Sequence, residues 1–509
     1  MRQKKQRTRK NRFEPSECSN NMNFQECELA VLRHAIDKNE KILGQKVASS
    51  DEIKNMVKIV EDFLMKKKLV CYGGTAINNI LPKQSQFYNR EYEIPDYDFF
   101  SPNALEDAKE LSDVFYAAGY LDVEAKSGIH SGTYKVFVNF IPMADVTSIH
   151  KELFDSLSKE SISIAGIKYA PPNYLRMGMY LELSRPAGDT SRWEKVMKRL
   201  NLLNKFHPMK VKYDCSAIDF QREMDDTSSE SEKIYITVRD TFIDLGVVFF
   251  GGYAASLYSK NMPHKEKQFF RKIPDFDVLS EDIHKTALIL EERLHDEGIK
   301  HITQVHHPSI GELIPEHIEM RYKNEIIAFI YAPVACHNYN TIQVNDSDVN
   351  VATIDTIMSF YLAFLYADAN YYFKDRIMCI AKFLFELQQT NKLAQKGVMK
   401  RFTPQCIGVQ ETMESIRANK SVKFEELRGK TGGAEYEKYF LKYLPADIGK
   451  KNGKKSKSDG KNDDSPKDEE SPKDEESPKE QTSRKKTKSK KTTAKKRVTF
   501  KPFGIPPIF

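Results

Sequence analysis

The sequence predicts an α/β (α+β) fold in which two tandem mixed-sheet units, both covered by helices, precede a disordered C-terminal tail. The first observation is a pattern that occurs twice, as VCYGGTAINNIL and PDYDFFS within residues 70–101 and as VFFGGYAASLY and PDFDVLS within residues 248–280. The second is the interleaved helical and strand-like periodicity around each copy, which is typical of a mixed sheet covered by helices. The third is the change to Lys, Ser, Asp, Glu and Pro from residue 448 onward, where no apolar periodicity remains.

The first copy predicts its elements in a definite order. Apolar residues at helical spacing in 51–68 predict a helix, and a short apolar strand then leads through a glycine pair into a second helix. Residues 95–101 predict a strand, and 104–119 predict a helix that a glycine closes. The runs GTYKVFVNF and MADVTSI predict further strands, after which helices end the unit.

The second copy repeats this order, with HIEMRY and EIIAFIY as its later strands. Its glycine pair follows the first by 178 residues (251 minus 73) and its first aspartate by 179 (275 minus 96), so the two copies differ by a one-residue slip. We interpret the likeness as a tandem duplication of one α/β unit.

Composition sets limits on the class of protein. The chain has 509 residues with a net charge of +7, and it has no run of about 20 apolar residues, so we expect no membrane span and no membrane partner. The basic first twelve residues precede no apolar stretch, so we expect no secretory signal. The basic runs at 1–12 and 484–497 are either solvated tails or an electrostatic hold on RNA or DNA.

The seven cysteines are scattered, odd in number and free of C-x-x-C pairs. This spacing indicates neither a disulfide framework nor a zinc site, so we expect a reducing intracellular compartment.

The glycine pair Gly73-Gly74 lies where the first strand meets its helix. Glycine allows a tight bend and lets a ligand approach the backbone, and the N–H groups of a helix N-terminus favour phosphate. The Thr75 hydroxyl could add a donor or cap the helix. A purely structural turn explains this local pattern equally well.

Three aspartates make the pattern more specific. Asp96 and Asp98 are two residues apart in a predicted strand, so their carboxylates share one face. Asp145 stands in an apolar strand-like run, where it is either an exposed turn residue or a third member of the group. Converging carboxylates suit Mg²⁺ or Mn²⁺, and two such ions can clamp an in-line phosphoryl displacement. Together with the glycine pair, the spacing predicts nucleotidyl transfer.

The motifs GGTAIN, DYDFFS and ADVT resemble the nucleotidyltransferase superfamily of the DNA polymerase β type. The stretch from Met179 to Phe206, with LSRP and SRWEKV, resembles more narrowly the poly(A) polymerase catalytic subunits of large nucleocytoplasmic DNA viruses, which are related to the poxvirus enzyme. The resemblance covers roughly residues 50–390. It implies ATP as donor, an RNA 3′ end as acceptor and two Mg²⁺ or Mn²⁺ ions.

The resemblance also implies roles and a setting. Asp96 and Asp98 would bind both metals, Asp145 would bind metal and help to activate the 3′-hydroxyl, and Gly73, Gly74 and Thr75 would bind the nucleotide. The implied location is the virion and/or the host cytoplasm (the viral factory). A viral processivity partner is implied by the poxvirus relatives, and a homodimer in which the duplicate substitutes for that partner is the alternative.

The segment SRWEKVMKRLNLLNKF predicts an amphipathic helix whose apolar stripe packs in the core. Its members are Trp193, Val196, Met197, Leu200, Leu203 and Phe206. The basic residues Arg192, Lys195, Lys198 and Arg199 fall off the stripe, where they either face solvent or contact triphosphate or RNA. We take Arg192 and Lys195 as the nucleotide-binding candidates.

The second copy departs from the first at two places. Tyr253 stands where Thr75 does, and the strand NEIIAFIY has no carboxylate inside it, with Glu325 only at its start. We interpret this copy as an inactive duplicate that widens an RNA-binding surface or forms an interface. A weak metal site at Asp275 and Asp277 is the alternative.

The resulting hypothesis is a template-independent polynucleotide adenylyltransferase. Its alternatives are another transferase of the superfamily, such as a uridylyl-, CCA- or oligoadenylate-forming enzyme, and a non-catalytic RNA-binding processivity scaffold. The predicted segments are a basic N-terminal arm with a leading helix (1–50), a catalytic nucleotidyltransferase domain (51–213), a linker (214–233), a degenerate nucleotidyltransferase-like domain (234–447) and a disordered charged tail (448–509).

Overall fold

The structure is a computed structural model that describes residues 18, 22–48, 50–91, 93–212, 214–215, 218, 220, 229–261, 275–311, 313–391 and 395–446. The side chains of residues 40–48 and 229 are outside this description. All described residues belong to one compact unit, Met1–Lys454. The predicted disordered tail, the basic run at 1–12 and most of the predicted linker lie outside the described residues.

Helices and strands alternate along the described chain. The helices are α1 Phe24–Ala48, α2 Asp51–Lys67, α3 Gly73–Ile80, α4 Ala104–Ala117, α5 Lys151–Glu160, α6 Pro172–Leu183, α7 Trp193–Phe206, α8 Ser229–Asp244, α9 Gly252–Ser259, α10 Ile283–Asp296, α11 Ile354–Phe364, α12 Lys374–Thr390, α13 Met413–Leu427 and α14 Ala434–Phe440. The strands are β1 Val70–Tyr72, β2 Tyr97–Ser101, β3 Val123–Ser127, β4 Thr133–Val138, β5 Ile141–Ser148, β6 Ile162–Ile164, β7 Ile167–Tyr169, β8 Val248–Phe249, β9 Phe276–Leu279, β10 Ile302–His307, β11 His317–Tyr322, β12 Glu325–Tyr331, β13 His337–Val344, β14 Ser347–Ala352, β15 Cys406–Ile407 and β16 Lys442–Tyr443.

The strands form two mixed sheets of the same plan. The first sheet has the order β16-β3-β4-β5-β2-β1-β7-β6, and the second has the order β10-β11-β12-β9-β8-β14-β13-β15. In both sheets the first strand of the unit is antiparallel to the second, and the second is parallel to the fifth. The tandem mixed-sheet fold predicted from the repeated motif is therefore confirmed.

Helix α2 shows how the apolar periodicity becomes one layer of the fold. The Ser50 side chain caps its N-terminus by accepting a hydrogen bond from the Ile53 N–H at 3.3 Å. The helix ends where Lys68 adopts a left-handed conformation, with φ of 55°. Its buried face, which includes Met56 and Val60, belongs to the large apolar core that continues through both sheets.

The two sheet units share an interior contact through equivalent helices. Helix α6 of the first unit packs on α11 of the second, and the rings of Tyr174 and Tyr366 meet edge to face at 5.4 Å beside this contact. The Asn338 N–H donates a hydrogen bond to the Ser184 carbonyl across the same region at 2.8 Å. Since buried aromatic and backbone contacts tie the units together, the described chain has one continuous core.

The chain returns to the first sheet after completing the second. Strand β16 pairs antiparallel with β3, so residues of the predicted second domain extend the edge of the first sheet. Lys109 Nζ on α4 lies 2.7 Å from Glu437 Oε2 on α14, and this ion pair also holds the C-terminal segment against the helices of the first unit. The sequence carries no periodicity from which this pairing could be predicted.

Within the described part of the chain, no helix combines the length and apolar character needed to cross a bilayer.

The cysteines contradict the expectation that no disulfide framework exists. Three disulfides join Cys18 to Cys27, Cys215 to Cys379 and Cys336 to Cys406, and Cys71 is buried and free. The partners of two pairs are 164 and 70 residues apart in sequence, so only the fold brings them together. The odd number of cysteines is explained by three disulfides and one buried free thiol, an arrangement that the spacing did not indicate.

Candidate active site

The three aspartates singled out by the sequence lie in, or directly before, two adjacent strands of the first sheet. Asp98 in β2 and Asp145 in β5 are register partners on adjacent parallel strands. Asp96 is exposed and immediately precedes β2. Tyr97 and Phe99, with side chains on the opposite face of β2, are fully buried. Strand alternation thus brings the carboxylates of Asp98 and Asp145 out side by side. We call Asp96, Asp98 and Asp145 the acid trio.

The carboxylates of the acid trio repel one another, which disfavours their charged forms. Burial, followed by the charges of Asp96 and Asp145, raises the pKa of Asp98 to about 7. Partial removal of its carboxylate from water, followed by the charge of Asp145, also raises the pKa of Asp96. Crowded carboxylates behave in this way when no cation lies between them. The donor set therefore fits a hard divalent cation, which prefers carboxylate oxygens.

A lysine lies beside the acid trio. Lys135 in β4 is the register partner of Asp145 on the side away from β2, and its Nζ forms an ion pair with Asp145 Oδ2. The Lys135 charge also opposes the rise in the pKa of Asp96 and Asp98. Among the described residues, no group of three or more His, Cys, Asp or Glu side chains is placed to enclose a metal ion. The trio thus has the donor chemistry for a cation, while its third member is paired with Lys135.

The glycine pair adjoins the acid trio. Gly73 begins α3 with φ of +69°, a conformation that favours glycine. A Cβ on Gly73 would lie 2.5 Å from Asp98 Oδ2, so only glycine admits the carboxylate this close. The Thr75 side chain is buried, and its hydroxyl donates to the Asp96 carbonyl oxygen at 2.5 Å. Thr75 therefore fixes the backbone of Asp96 instead of presenting its hydroxyl to solvent. We call Gly73, Gly74 and Thr75 the glycine turn.

The basic residues of α7 and of the turn before it divide into two groups. The positive charge of Lys195 opposes the rise in the pKa of Asp96, and that of Arg192 does the same for Asp98, so both cations act on the acid trio. Arg192 Nε also lies 3.1 Å from Glu182 Oε1. Lys198 is instead paired with the solvent-exposed Glu194 at 2.6 Å.

The apolar stripe of α7 packs largely as predicted. Val196, Leu200 and Leu203 are buried, and Met197 and Phe206 pack against the core. Trp193 is half-buried, and its Nε1 donates to the Glu182 carbonyl at 3.0 Å. The stripe therefore fixes the side of α7 from which the basic residues reach the site.

Two further residues cover the glycine turn. A Cβ on Gly74 would lie 2.6 Å from Tyr88 Oη and 3.1 Å from Arg199 Nη1. Arg199 Nη2 donates to Tyr88 Oη at 2.7 Å, and the guanidinium lies 4.7 Å from the centroid of the Phe87 ring. The sequence pattern indicated Arg199 only as one of four basic residues, and it pointed to neither Tyr88 nor Lys135. The helical spacing of Arg192, Lys195 and Arg199 was the one signal for Arg199, whereas Tyr88 stands in a loop without periodicity.

The corresponding place in the second sheet has a different chemistry. Phe329 in β12 is the register partner of Asp277 in β9, where the first sheet has Asp145 beside Asp98. Asp275 and Asp277 are 4% and 8% exposed, and their carboxylates pack against Gly252 and Gly251. These acids fill the space above their own glycines, so the second copy lacks the open arrangement of the first.

The structure thus combines a duplicated mixed sheet with adjacent carboxylates beside a helix that begins at a glycine. Comparison with known proteins gives the narrower relationship. Residues 58–189 match the family described as poly(A) polymerase catalytic subunit. The resemblance expected from the sequence is confirmed over this range, which holds the acid trio and the glycine turn but ends before α7.

Viral proteins supply the similar sequences. An African swine fever virus protein (isolate Tick/Malawi/Lil 20-1/1983), provisionally named poly(A) polymerase catalytic subunit, is 33% identical over 182 residues, which cover 35% of this chain and 38% of the relative. An Acanthamoeba polyphaga mimivirus protein with the same provisional name is 28% identical over 200 residues, which cover 38% of this chain and 32% of the relative. The chain thus spans less than two fifths of the length of these relatives.

A solved structure extends the likeness to the whole fold. The crystal structure of the Megavirus polyadenylate synthase superposes with a TM-score of 0.71, covering 87% of this chain and 91% of the other. The sequence identity is 20%, so this likeness concerns the fold. It includes the second sheet, which the family match leaves out.

Proposed function

We propose that the protein is a template-independent polynucleotide adenylyltransferase that adds AMP from ATP to RNA 3′ ends. The observation that carries the proposal is the register of Asp98 with Asp145 beside the glycine turn, in a segment similar to poly(A) polymerase catalytic subunits. Neighbouring carboxylates and a phosphate-binding turn are what nucleotidyl transfer requires in one place.

The acid trio would hold the divalent metal ions, Mg²⁺ or Mn²⁺. When bound, two such ions stabilise the attacking and leaving oxygens of an in-line displacement. Asp145 lies on the strand next to Asp98 and is the member that would accept a hydrogen bond from the RNA 3′-hydroxyl and orient it. Thr75 holds the Asp96 carbonyl, so the turn and the acids keep a fixed spacing.

The triphosphate would lie between the glycine turn and α7. The free N–H groups at the start of α3 can donate to phosphate oxygens, and the helix dipole favours negative charge there. The charges of Lys195 and Arg192 act on the acids, and these two cations would neutralise the triphosphate. The second unit would serve as a non-catalytic support for RNA, because Phe329 stands where a third acid is needed.

A primer-extension assay tests the proposal. The full-length protein is incubated with a short labelled RNA without template, with Mg²⁺ or Mn²⁺ and with each of the four nucleoside triphosphates in turn. We expect a ladder of products with ATP and little extension with the others. Equal extension with every nucleotide or preferred use of UTP would point to another transferase, and no extension with any nucleotide would favour the scaffold hypothesis.

A further inference from the structure

The space above Gly74 holds protein side chains where the proposed function places phosphate. A Cβ on Gly74 would lie 2.6 Å from Tyr88 Oη and 3.1 Å from Arg199 Nη1. The Tyr88 hydroxyl and the Arg199 guanidinium therefore cover the first turn of α3. Because the Cα–Cβ bond of a helical residue tilts toward the N-terminus, the phenol lies on the side from which a phosphate would approach these N–H groups, and the two would compete for that space.

The backbone beneath Tyr88 is anchored independently of its side chain. The N–H groups of Phe87 and Tyr88 both donate to Asn78 Oδ1, at 2.8 and 2.9 Å. Asn78 belongs to α3 and is 4% exposed, so the loop is tied to the helix that forms the turn. Tyr88 itself is half-buried. Its ring can leave the turn by side-chain rotation while the loop backbone keeps its hydrogen bonds.

Arg199 is held in place by contacts that would survive such a rotation. Its guanidinium stacks near the Phe87 ring at 4.7 Å, and α7 is fixed to the core through Leu200 and Leu203. The rotation would break the hydrogen bond to Tyr88 Oη, at 2.7 Å, and the contact of the guanidinium with the Tyr88 ring, 5.4 Å from its centroid. A guanidinium remains charged at all physiological pH values and binds phosphate oxygens more strongly than it binds a neutral phenol.

We infer that the Tyr88 hydroxyl occupies the place of a substrate phosphate. It holds Arg199 over the glycine turn until ATP binds, and the nucleotide triphosphate then replaces it as the partner of Arg199. Arg199 is thereby a triphosphate-binding residue, and Tyr88 is a positioning residue that competes with the substrate. This inference rests on the proposed adenylyl transfer, and it adds the residues that control access to the phosphate site. It also explains why position 74 is glycine, because any side chain would meet the Tyr88 hydroxyl.

Four variants of the full chain test the inference. Tyr88→Phe removes the hydroxyl and keeps the ring, so we expect the KM for ATP to fall several-fold with kcat nearly unchanged. Arg199→Met should raise the KM for ATP at least tenfold, and Arg199→Lys should restore part of the loss because it keeps a positive charge. Lys198→Met is the matched control on the same helix, since Lys198 pairs with exposed Glu194, and it should leave KM unchanged.

A phosphate probe separates this role from a structural one and from recognition of the base. Inorganic tripolyphosphate should inhibit the wild-type protein and the Lys198→Met variant, and inhibition should weaken at least tenfold in Arg199→Met. The inference is wrong if Tyr88→Phe and Arg199→Met leave both KM and inhibition unchanged in an active protein. It is also wrong if Arg199→Met weakens ATP binding without weakening tripolyphosphate inhibition. If the wild-type protein neither extends RNA nor binds tripolyphosphate, the proposed function itself has failed.

Discussion

Phe329 lies beside Asp277 in the second sheet at the register position that Asp145 occupies beside Asp98 in the first. The two sheets share strand order and direction, so this difference is one of side-chain chemistry and not of fold. Phe329 is fully buried and packs against the rings of Tyr371 and Tyr331, at 5.0 and 5.9 Å. A duplicated backbone thus retains an open acidic site in one unit and an aromatic core in the other.

The first prediction concerns that aromatic core. Phe329→Asp should destabilise the protein by at least 3 kcal/mol, because it buries an unpaired carboxylate and removes aromatic packing. Phe329→Leu is the control and should cost roughly 1–2 kcal/mol. Urea unfolding followed by circular dichroism measures both. A variant Phe329→Asp as stable as the wild type would show that the second unit tolerates a third acid.

The second prediction concerns the ion pair between Lys135 and Asp145. Lys135 competes with a divalent cation for the Asp145 carboxylate, so Lys135→Met should bind Mn²⁺ several-fold more tightly than the wild type. Isothermal titration with Mn²⁺ alone measures the affinity without reference to activity. Lys126→Met on the neighbouring strand β3, where Lys126 pairs with Glu124, is the matched control and should not change it. Equal or weaker Mn²⁺ binding by Lys135→Met would show that the lysine does not compete.

The third prediction follows from the raised pKa of Asp98. Since the folded-state pKa is about 7 and the ordinary value is 3.8, the protonated carboxyl favours the folded state. This contribution is fully present below about pH 4 and is lost as the pH rises through 7. The difference between these two pKa values corresponds to about 4 kcal/mol, and partial exposure of the carboxyl should reduce this to roughly 2 kcal/mol.

The test uses metal-free protein in a chelator. Asp98→Asn should be more stable than the wild type by roughly 2 kcal/mol at pH 8 and nearly equal to it at pH 4. Urea midpoints at both pH values give the comparison. An Asn variant that is less stable than the wild type at pH 8 would mean that the Asp98 carboxylate is stabilised by its surroundings.

The fourth prediction concerns the disulfides. With three pairs formed and Cys71 free, an unreduced, denatured chain should present one reactive thiol to Ellman's reagent. Reduction should lower the thermal midpoint, since a cross-link that closes a loop of about 70 residues, such as Cys336–Cys406, contributes roughly 4 kcal/mol by restricting the unfolded chain. Seven reactive thiols before reduction would instead support the compartment expected from the cysteine spacing.

Much of the fold could be predicted because its signals are local and repeated. The period-2 alternation around Asp98 placed Tyr97 and Phe99 inside and the carboxylate outside, as the burial of the two rings confirms. The duplicated glycine and aspartate motifs located the two sheets. By contrast, the position of Lys135 beside Asp145 follows from the register of β4 with β5, and strand register could not be predicted from the sequence.

The remaining features depend on contacts between distant parts of the chain. Tyr88 stands in a loop, and its place over Gly74 comes from the anchoring of that loop to Asn78. The pairing of β16 with β3 and the disulfide between Cys215 and Cys379 join segments more than 150 residues apart. Periodicity carries no information on such closures. The roles of individual site residues stay predictions until they are tested by substitution.

The most direct measurement compares equivalent aspartates of the two units. RNA extension with ATP is followed for the wild type, Asp98→Asn and Asp277→Asn, with folding of each variant checked by circular dichroism. The account predicts that Asp98→Asn lowers the rate at least a thousandfold, because it removes a metal-holding carboxylate, while Asp277→Asn extends RNA within a few-fold of the wild type. Full extension by a folded Asp98→Asn variant, or its loss only in Asp277→Asn, would contradict the placement of catalysis in the first unit.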